Sequence, residues 1–335
     1  KIINFSFDNQ NFPKSRNISQ INFYLKYFIL IREWLKESQN EIPEYLNEII
    51  FYLGQNYNFI WQNTNQNLLF NGNQINQNND FDRYLSFHNY KFKNESNEYG
   101  GYVILKNKNV ILSADLGSSP EKKFSNDYQS GALSFEIFFN NCKLISNCGY
   151  FQNYKHQLNS ISKSTATHST MVLDNRSSCK FKKDSDGIFK VDQELKILKK
   201  SVTFEKKYWN ITGSHDGYLK KYGVIHERKI EFFIEKNKFI GTDKLIKKKK
   251  FKSSNFEIRF HFEPGVKITK TQDEKSILVE LENSGWKFSC KDHKIDVETG
   301  LYFGKKNSFV ENQNIFISGL TQNEDQEIVW EIIKI

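Results

Sequence analysis

The sequence predicts an α+β fold in which a helical N-terminal part precedes a large antiparallel β-sandwich. Apolar residues recur at helical spacing between positions 18 and 53, whereas from Gly101 onward they alternate or form short runs separated by turns. The chain has 335 residues, of which 38% are hydrophobic and 15% aromatic. A chain of this length and composition can bury a substantial core in one or two domains.

Two helices are predicted in the N-terminal part. The first covers residues 18–35, and the second covers residues 43–53. Pro43 suits the first turn of the second helix, and Gly54 suits the position just after its last turn. Two such helices cannot bury their apolar faces alone, so we expect them to belong to a larger helical array.

The β part opens with a predicted hairpin whose strands are residues 102–105 and 110–112, joined by an Asn-Lys-Asn turn. Further strands are predicted at 133–139, 143–146, 170–173, 202–208, 211–214, 223–233, 238–245, 256–262, 277–281, 286–289, 315–319 and 328–333. The sequence shows no internal repeat and no heptad pattern. Many short strands of this kind predict a sandwich of antiparallel sheets.

The net charge of +9 favours an anionic partner. The abundance of Asn, Lys, Ile and Phe is also typical of an AT-rich genome, which accounts for part of that charge. The sequence contains no zinc finger, no aromatic RNA-binding motif and no basic helix, so nucleic acid is not the expected partner. No run of eighteen apolar residues is present, so no membrane-spanning helix is expected.

The four cysteines do not form a recognisable metal or disulfide pattern. None is spaced as Cys-x-x-Cys, and none has a histidine at metal-ligand spacing. A disulfide framework is not expected in a chain this large. Burial is the expected role of Cys142 and Cys148; the other two cysteines are Cys179 and Cys290.

The most informative motifs are two polar clusters, each followed by an apolar strand. The first ends in Ala-Leu-Ser-Phe-Glu at residues 132–136, and the second is Ser-Thr-Ala-Thr-His-Ser-Thr-Met-Val-Leu-Asp at residues 164–174. Together they resemble the β-sheet half of the active site in the heparinase II/III-like family of polysaccharide lyases. His215-Asp216-Gly217-Tyr218 and an Arg-Phe-His element at residues 259–261 are similar to further motifs of that family.

This resemblance implies the C-terminal portion of an (α/α) toroid followed by the family's β-sandwich. The expected domains are residues 1–80 for the end of the helical toroid and residues 81–335 for the sandwich. Because the toroid needs more helical pairs, the chain is expected to be part of a longer protein. The resemblance also implies a periplasmic or cell-envelope location in a Gram-negative-like bacterium.

The family's chemistry is β-elimination at a uronic acid, in which a base takes the C5 proton and an acid protonates the leaving oxygen. The histidines expected in the first motif fall on Asp127 and Gln129, and an expected aspartate falls on Asn147. His168 is the histidine that the second motif retains. Asp127 and Gln129 are two positions apart, so on an extended chain their side chains share one face.

We therefore predict a catalytic cluster of His168, Asp127 and Gln129 in a cleft that faces the helices, with Asp127 orienting the His168 ring or raising its pKa. The predicted substrate-binding residues are Asn71, Asn147, His215 and Tyr218, and Asn71 lies in an Asn-Gly pair. Loops on a rigid sheet commonly carry such groups. His226 and His261 are expected to be buried within the sandwich.

No cofactor is expected. The family often holds a structural zinc ion with residues of the two motifs, but here Gln129 and Asn147 replace ionisable ligands. Zinc needs three or four strong nitrogen, sulfur or carboxylate ligands, and neutral amides bind it poorly. A hydrogen-bonded polar cluster is expected in its place.

The favoured function is that of a lyase acting on an anionic polysaccharide that contains uronic acid. The alternative is a catalytically reduced glycan-binding or structural envelope protein of the same fold, since the paired histidines are missing. A glycoside hydrolase would need two acids about 5–10 Å apart. The nine-residue separation of Asp127 and Glu136 does not suggest such a pair.

Overall fold

The computed structural model describes residues 2–75, 79–249, 253–306 and 308–335. Helices in this part of the chain lie mainly before residue 90. Their bounds are α1 (Ile2–Ser6), α2 (Ser19–Glu37), α3 (Glu44–Tyr57), α4 (Asn79–Phe87), α5 (Gln157–Ser162) and α6 (Leu219–Tyr222). The predicted helices at 18–35 and 43–53 are thus confirmed as α2 and α3.

Strands follow from residue 98 to the C-terminal end. The first nine are β1 (Glu98–Tyr99), β2 (Tyr102–Lys106), β3 (Val110–Asp115), β4 (Phe135–Phe139), β5 (Cys142–Ile145), β6 (Met171–Leu173), β7 (Lys180–Lys183), β8 (Phe189–Gln193) and β9 (Ile197–Phe204). The others are β10 (Tyr208–His215), β11 (Val224–Phe233), β12 (Lys238–Lys247), β13 (Asn255–His261), β14 (Lys267–Lys270), β15 (Ser276–Leu281), β16 (Ser284–Cys290), β17 (Ile295–Tyr302), β18 (Val310–Leu320) and β19 (Gln326–Lys334).

These strands form a five-stranded sheet in the order β1-β2-β3-β4-β5 and an eight-stranded sheet in the order β14-β15-β16-β19-β12-β11-β10-β9. A four-stranded sheet has the order β17-β18-β13-β6, and β7 pairs with β8 as a ribbon. Neighbouring strands of the eight-stranded sheet are antiparallel throughout. The predicted antiparallel sandwich and the α+β class are therefore confirmed.

The five-stranded sheet separates two hydrophobic cores because its side chains alternate between its faces. Val103 and Leu105 of β2 join the core between the sheets, where they pack with residues of the eight-stranded sheet. Tyr102 and Ile104 of the same strand point to the other face and pack with α2 and α3. The helices thus cover one face of a sheet whose other face belongs to the sandwich.

Two local predictions are wrong. Gly54 does not end the second helix, because α3 continues to Tyr57 and a π-helical turn follows at Asn58–Gln62. A Cβ at position 54 would lie 2.0 Å from the Phe92 ring, so glycine is needed there for close packing. The strand predicted at 202–208 is interrupted, because β9 ends at Phe204 and β10 begins at Tyr208.

Candidate functional site

The first sequence motif lies against the helical part of the molecule. The backbone N–H of Gln129 donates to Oδ1 of Asn71 at 3.0 Å, and the N–H of Gly72 donates to Oε1 of Gln129 at 3.0 Å. Asp127 accepts a hydrogen bond from Asn17, just ahead of α2. The side chains of Asp127 and Gln129 therefore both contact the helical part, although Asp127 lies in a turn and not on an extended chain.

Asp127 is the partly exposed member of this group and is held by two neutral donors. Nδ2 of Asn17 donates to Oδ2 of Asp127 at 3.1 Å, and the Tyr150 hydroxyl donates to Oδ1 at 3.0 Å. Nδ2 of Asn159 donates to the same Tyr150 hydroxyl at 3.1 Å. Burial, reinforced by the Asp127 charge, raises the pKa of Tyr150, so this phenol keeps its proton at neutral pH.

Asn17 is fixed at the start of α2. Its Oδ1 accepts hydrogen bonds from the N–H and the hydroxyl of Ser19, at 2.9 and 2.6 Å. Gly72 has a φ of +76°, and a Cβ there would lie 2.4 Å from Nδ2 of Asn17. Glycine at position 72 thus serves both the left-handed turn and the close approach of the Asn17 amide that reaches Asp127.

Lys163 supports the Asp127 segment from within the sandwich part. Its ammonium donates to the carbonyl oxygens of Asn126 and Phe189, the second at 2.8 Å. Burial lowers the pKa of Lys163 to about 8, while the charge of Asp127 acts in the opposite direction. The sequence analysis missed Asn17, Tyr150 and Lys163, and of these only Asn17, just before a predicted helix, had a sequence signal.

A cavity of about 640 Å³ lies between the N-terminal segment and the sandwich part, and Asp127 itself does not line it. Arg16, next to Asn17 in the chain, lines it together with Lys14, Lys199 and Lys200. Asp115 holds the Arg16 guanidinium at 2.7 Å. The cavity also contains the carboxylates of Asp8, Glu98 and Glu121, so its charge is mixed.

His168 does not share a cleft with Asp127, and the predicted cluster of His168, Asp127 and Gln129 is wrong in this respect. The His168 side chain is 1% exposed and packs on Gly131, where a Cβ would lie 2.5 Å from the ring. Its Nδ1 donates to the Ser164 carbonyl at 2.9 Å, so Asp127 does not orient the ring. Burial lowers the pKa of His168 to about 4, which keeps the ring neutral near pH 7.

Gln129 is also structural rather than catalytic. It is fully buried, and its Nε2 donates to the carbonyls of Gly149 and Ser162 at 2.9 and 2.6 Å. Together with the bond from Gly72 to Oε1, these contacts occupy both ends of the amide. Gln129 therefore joins the first motif to the helical part and to the segment that carries Lys163.

The predicted substrate-binding asparagines are buried and bonded within the protein. Asn71 donates to Oδ2 of Asp115 at 3.0 Å and to the Tyr102 hydroxyl at 2.5 Å. Asn147 is fully buried; its Oδ1 accepts the N–H of Ser169 at 2.9 Å, and its backbone N–H donates to Glu136. These asparagines brace the loops and do not present polar atoms to a ligand.

His215 and Tyr218 are likewise buried, so their predicted place at a cleft lip is wrong. Nδ1 of His215 accepts the N–H of Gly217 at 3.1 Å, and the Tyr218 hydroxyl donates to the Met171 carbonyl at 2.8 Å. Burial lowers the pKa of His215, with His226 beside it acting in the same direction. The predicted burial of His226 and His261 is confirmed.

A buried ionic network fixes this side of the sandwich. The Asp243 carboxylate accepts from His226 at 2.7 Å, from Arg228 at 2.8 and 3.0 Å, and from Trp330 at 2.8 Å. Arg228 also donates to the Ser169 carbonyl at 2.6 Å, next to His168. These donors hold the pKa of Asp243 far below its usual range despite burial, so the carboxylate stays ionised.

The residues that replace the family's zinc ligands do not fit a zinc ion. The side-chain oxygens of Gln129 and Asn147 already accept backbone N–H groups, and both amides are held in place. Within residues 2–75, 79–249, 253–306 and 308–335, no three His, Cys, Asp or Glu side chains are grouped to hold a metal. Nε2 of His168 is left as a single buried acceptor without a partner among those residues.

The family described as heparinase II/III-like, C-terminal, matches residues 93–331. Among solved structures, the heparan sulfate lyase HepC from Pedobacter heparinus is similar at 14% identity and a TM-score of 0.77, over 99% of this chain and 54% of that chain. The heparinase III BT4657 gene product gives 14% identity and a TM-score of 0.81, over 100% of this chain and 53% of the other. No curated protein matches the sequence.

Because the identities are only 14%, these likenesses show the fold alone. The chain spans about half the length of the solved relatives that it matches. In the described part of the chain, no helix has the length and apolar character that crossing a bilayer requires.

Proposed function

The chain belongs to the heparinase II/III-like family, and from this premise we propose that it cleaves a uronic-acid-containing polysaccharide by β-elimination. The observation that carries the proposal is Asp127, a partly exposed carboxylate at the position of a family histidine. It lies where the helical part meets the sandwich, held by Asn17 and Tyr150. Lys14, in the cavity that its near neighbour Arg16 lines, forms no ion pair with the described residues and suits an anionic sugar chain.

In this mechanism Asp127 accepts the C5 proton of the uronate. The C4–O bond then breaks, the C4=C5 double bond forms, and the leaving oxygen takes a proton from water while Asp127 returns its proton to solvent. Asn17 and Tyr150 hold the carboxylate in position, and Tyr150 stays protonated because its pKa is raised. Lys14 supplies positive charge for the sugar carboxylate, which lowers the barrier to removing the C5 proton.

The test is ultraviolet absorbance of the unsaturated sugar ends, measured with heparan sulfate, polygalacturonate and alginate. We expect the wild-type protein, in its full-length form, to generate the signal on at least one polymer. Asp127→Asn should lower the rate by about 10²–10⁴-fold, the usual contribution of a positioned proton acceptor. Asp292→Asn, in an exposed turn, is the matched control and should leave the rate unchanged.

A second candidate is a catalytically reduced glycan-binding protein of the same fold. It is favoured by the replacement of family histidines with Asp127 and Gln129 and by the burial of His168. If the wild-type protein binds these polymers with no absorbance change, this candidate replaces the lyase. For either function, we propose the bacterial periplasm or cell envelope as the location, on the strength of the family.

A further inference from the structure

A second cavity, of about 580 Å³, lies entirely within the sandwich part. Its walls come from residues 176–181, from Gln193 at the end of β8, and from residues 217–222 around α6. No residue of α1–α4 lines it, and it shares no lining residue with the cavity that Arg16 lines. Its volume lies within the range of about 300–1,000 Å³ that is typical of ligand sites.

The charge of this cavity is one-sided. Arg176, Lys180, Lys220 and Lys221 line it, and no carboxylate does. The whole chain has 48 basic and 39 acidic residues, so a lining with cations alone departs from the general composition. Like charges gathered in a concavity repel one another and create a field that attracts anions.

Part of this positive charge is not neutralised by the protein. Lys180 pairs with Asp192 at 2.9 Å, whereas Arg176 and Lys220 form no ion pair with any residue that the structure describes. Asp174 lies near Tyr222 at the border of the cavity, where its Oδ1 already accepts the N–H of Asn255 at 2.9 Å. Arg176 and Lys220 are exposed, so their charged groups are accessible to a ligand.

Buried hydroxyl and aromatic side chains form part of the cavity wall. The Ser178 hydroxyl lies 2.9 Å from that of Ser130 and 3.2 Å from that of Thr165, and all these hydroxyls are buried. The Tyr222 ring forms another part, with the Lys221 ammonium 5.1 Å from its centroid. These hydroxyls and the Tyr222 ring are buried, so the groups left to contact a ligand are the exposed cations of the cavity.

We propose that this cavity binds the carboxylate or sulfate groups of an acidic saccharide chain, as a second site apart from Asp127. The choice of a saccharide rests on the proposed function, whereas the preference for an oxyanion rests on the charges alone. Ser130 joins the two sites, since it follows Asp127 by three residues and its hydroxyl meets Ser178. A long saccharide chain held in this cavity would raise the local concentration of polymer near Asp127.

The experiment compares the Arg176→Gln, Lys220→Gln double variant with a Lys26→Gln, Lys287→Gln double variant. Both pairs consist of exposed side chains and remove the same charge, but the second pair lies outside the cavity. Both are made in the Asp127→Asn background, so that binding is measured without turnover. Fluorescence anisotropy follows labelled oligosaccharides of heparan sulfate and of polygalacturonate, and inorganic sulfate is added as a competitor.

We expect the cavity variant to bind at least one oligosaccharide about tenfold more weakly, since two surface charge contacts are lost. The control variant should bind as the parent does. Equal affinity of the two variants for both oligosaccharides overturns the proposal. The proposal is also overturned if inorganic sulfate binds to the protein and neither oligosaccharide does. If the protein binds the oligosaccharides in this way but forms no unsaturated ends, only the proposed elimination reaction is refuted.

Discussion

Replacement of Gln129 by leucine tests whether the residue at a family histidine position now serves as a structural link. Leucine has nearly the volume of glutamine but cannot form the three side-chain hydrogen bonds to the Gly72 N–H and to the carbonyls of Gly149 and Ser162. All three partners are in the buried contact between the two parts of the molecule. Each group left unpaired there costs about 1–3 kcal/mol.

Allowing for partial relaxation, we expect Gln129→Leu to lower the free energy of unfolding by about 3–5 kcal/mol. That is a large share of the ~5–15 kcal/mol by which folded proteins are stable. Urea unfolding followed by tryptophan fluorescence gives the value, and Gln152→Leu, at an exposed position, is the control. A loss below about 1 kcal/mol, equal to that of the control, would refute the structural role.

Three further predictions concern the buried residues. Burial lowers the pKa of His168 to about 4, so the unfolded state binds the proton more readily than the folded state. The free energy of unfolding should therefore fall as the pH drops from the ordinary histidine pKa toward 4. Urea titrations of His168→Asn should show a smaller fall. Gly241→Ala would place a Cβ 1.9 Å from the Trp330 ring and should cost about 1–3 kcal/mol or more, whereas Gly285→Ala, 3.0 Å from a flexible side chain, should cost less in the same assay. Metal analysis of the purified full-length protein should find no tightly held zinc; one zinc ion per chain, lost in His168→Ala, would contradict this.

The fold was predictable because the spacing of apolar residues along the chain depends directly on which side chains are buried. Helical spacing marked α2 and α3, and alternation marked the strands that bury one face. The strands that the sequence analysis missed bury little. Lys180–Lys183, for example, forms a surface ribbon whose side chains are mostly exposed, so no apolar alternation marks it. The helix end predicted at Gly54 was wrong for a different reason. Glycine is required there because the Phe92 ring packs against it, and Phe92 is 38 positions away in the sequence.

The site was predictable only in part. Asp127 and Gln129 both contact the helical part, but Asp127 lies in a turn, so the period of an extended chain does not account for it. Which of the two is exposed depends on the contacts of Gln129 with Gly149 and Ser162, which no local pattern records. Residues that act through distant contacts were missed for the same reason, as with Tyr150, whose hydroxyl meets Asp127 across 23 positions.

The most direct test of the proposed reaction is mass spectrometry of the products formed from a uronic-acid polymer in water labelled with oxygen-18. Elimination breaks the C4–O bond without adding water, so the new non-reducing ends should be one water lighter than those from hydrolysis. The new reducing ends keep the glycosidic oxygen and should carry no label, whereas hydrolysis labels them. Asp127→Asn should abolish these products, and Asp292→Asn should not. Label at the newly formed ends, or unsaturated products that persist in Asp127→Asn, would contradict the account.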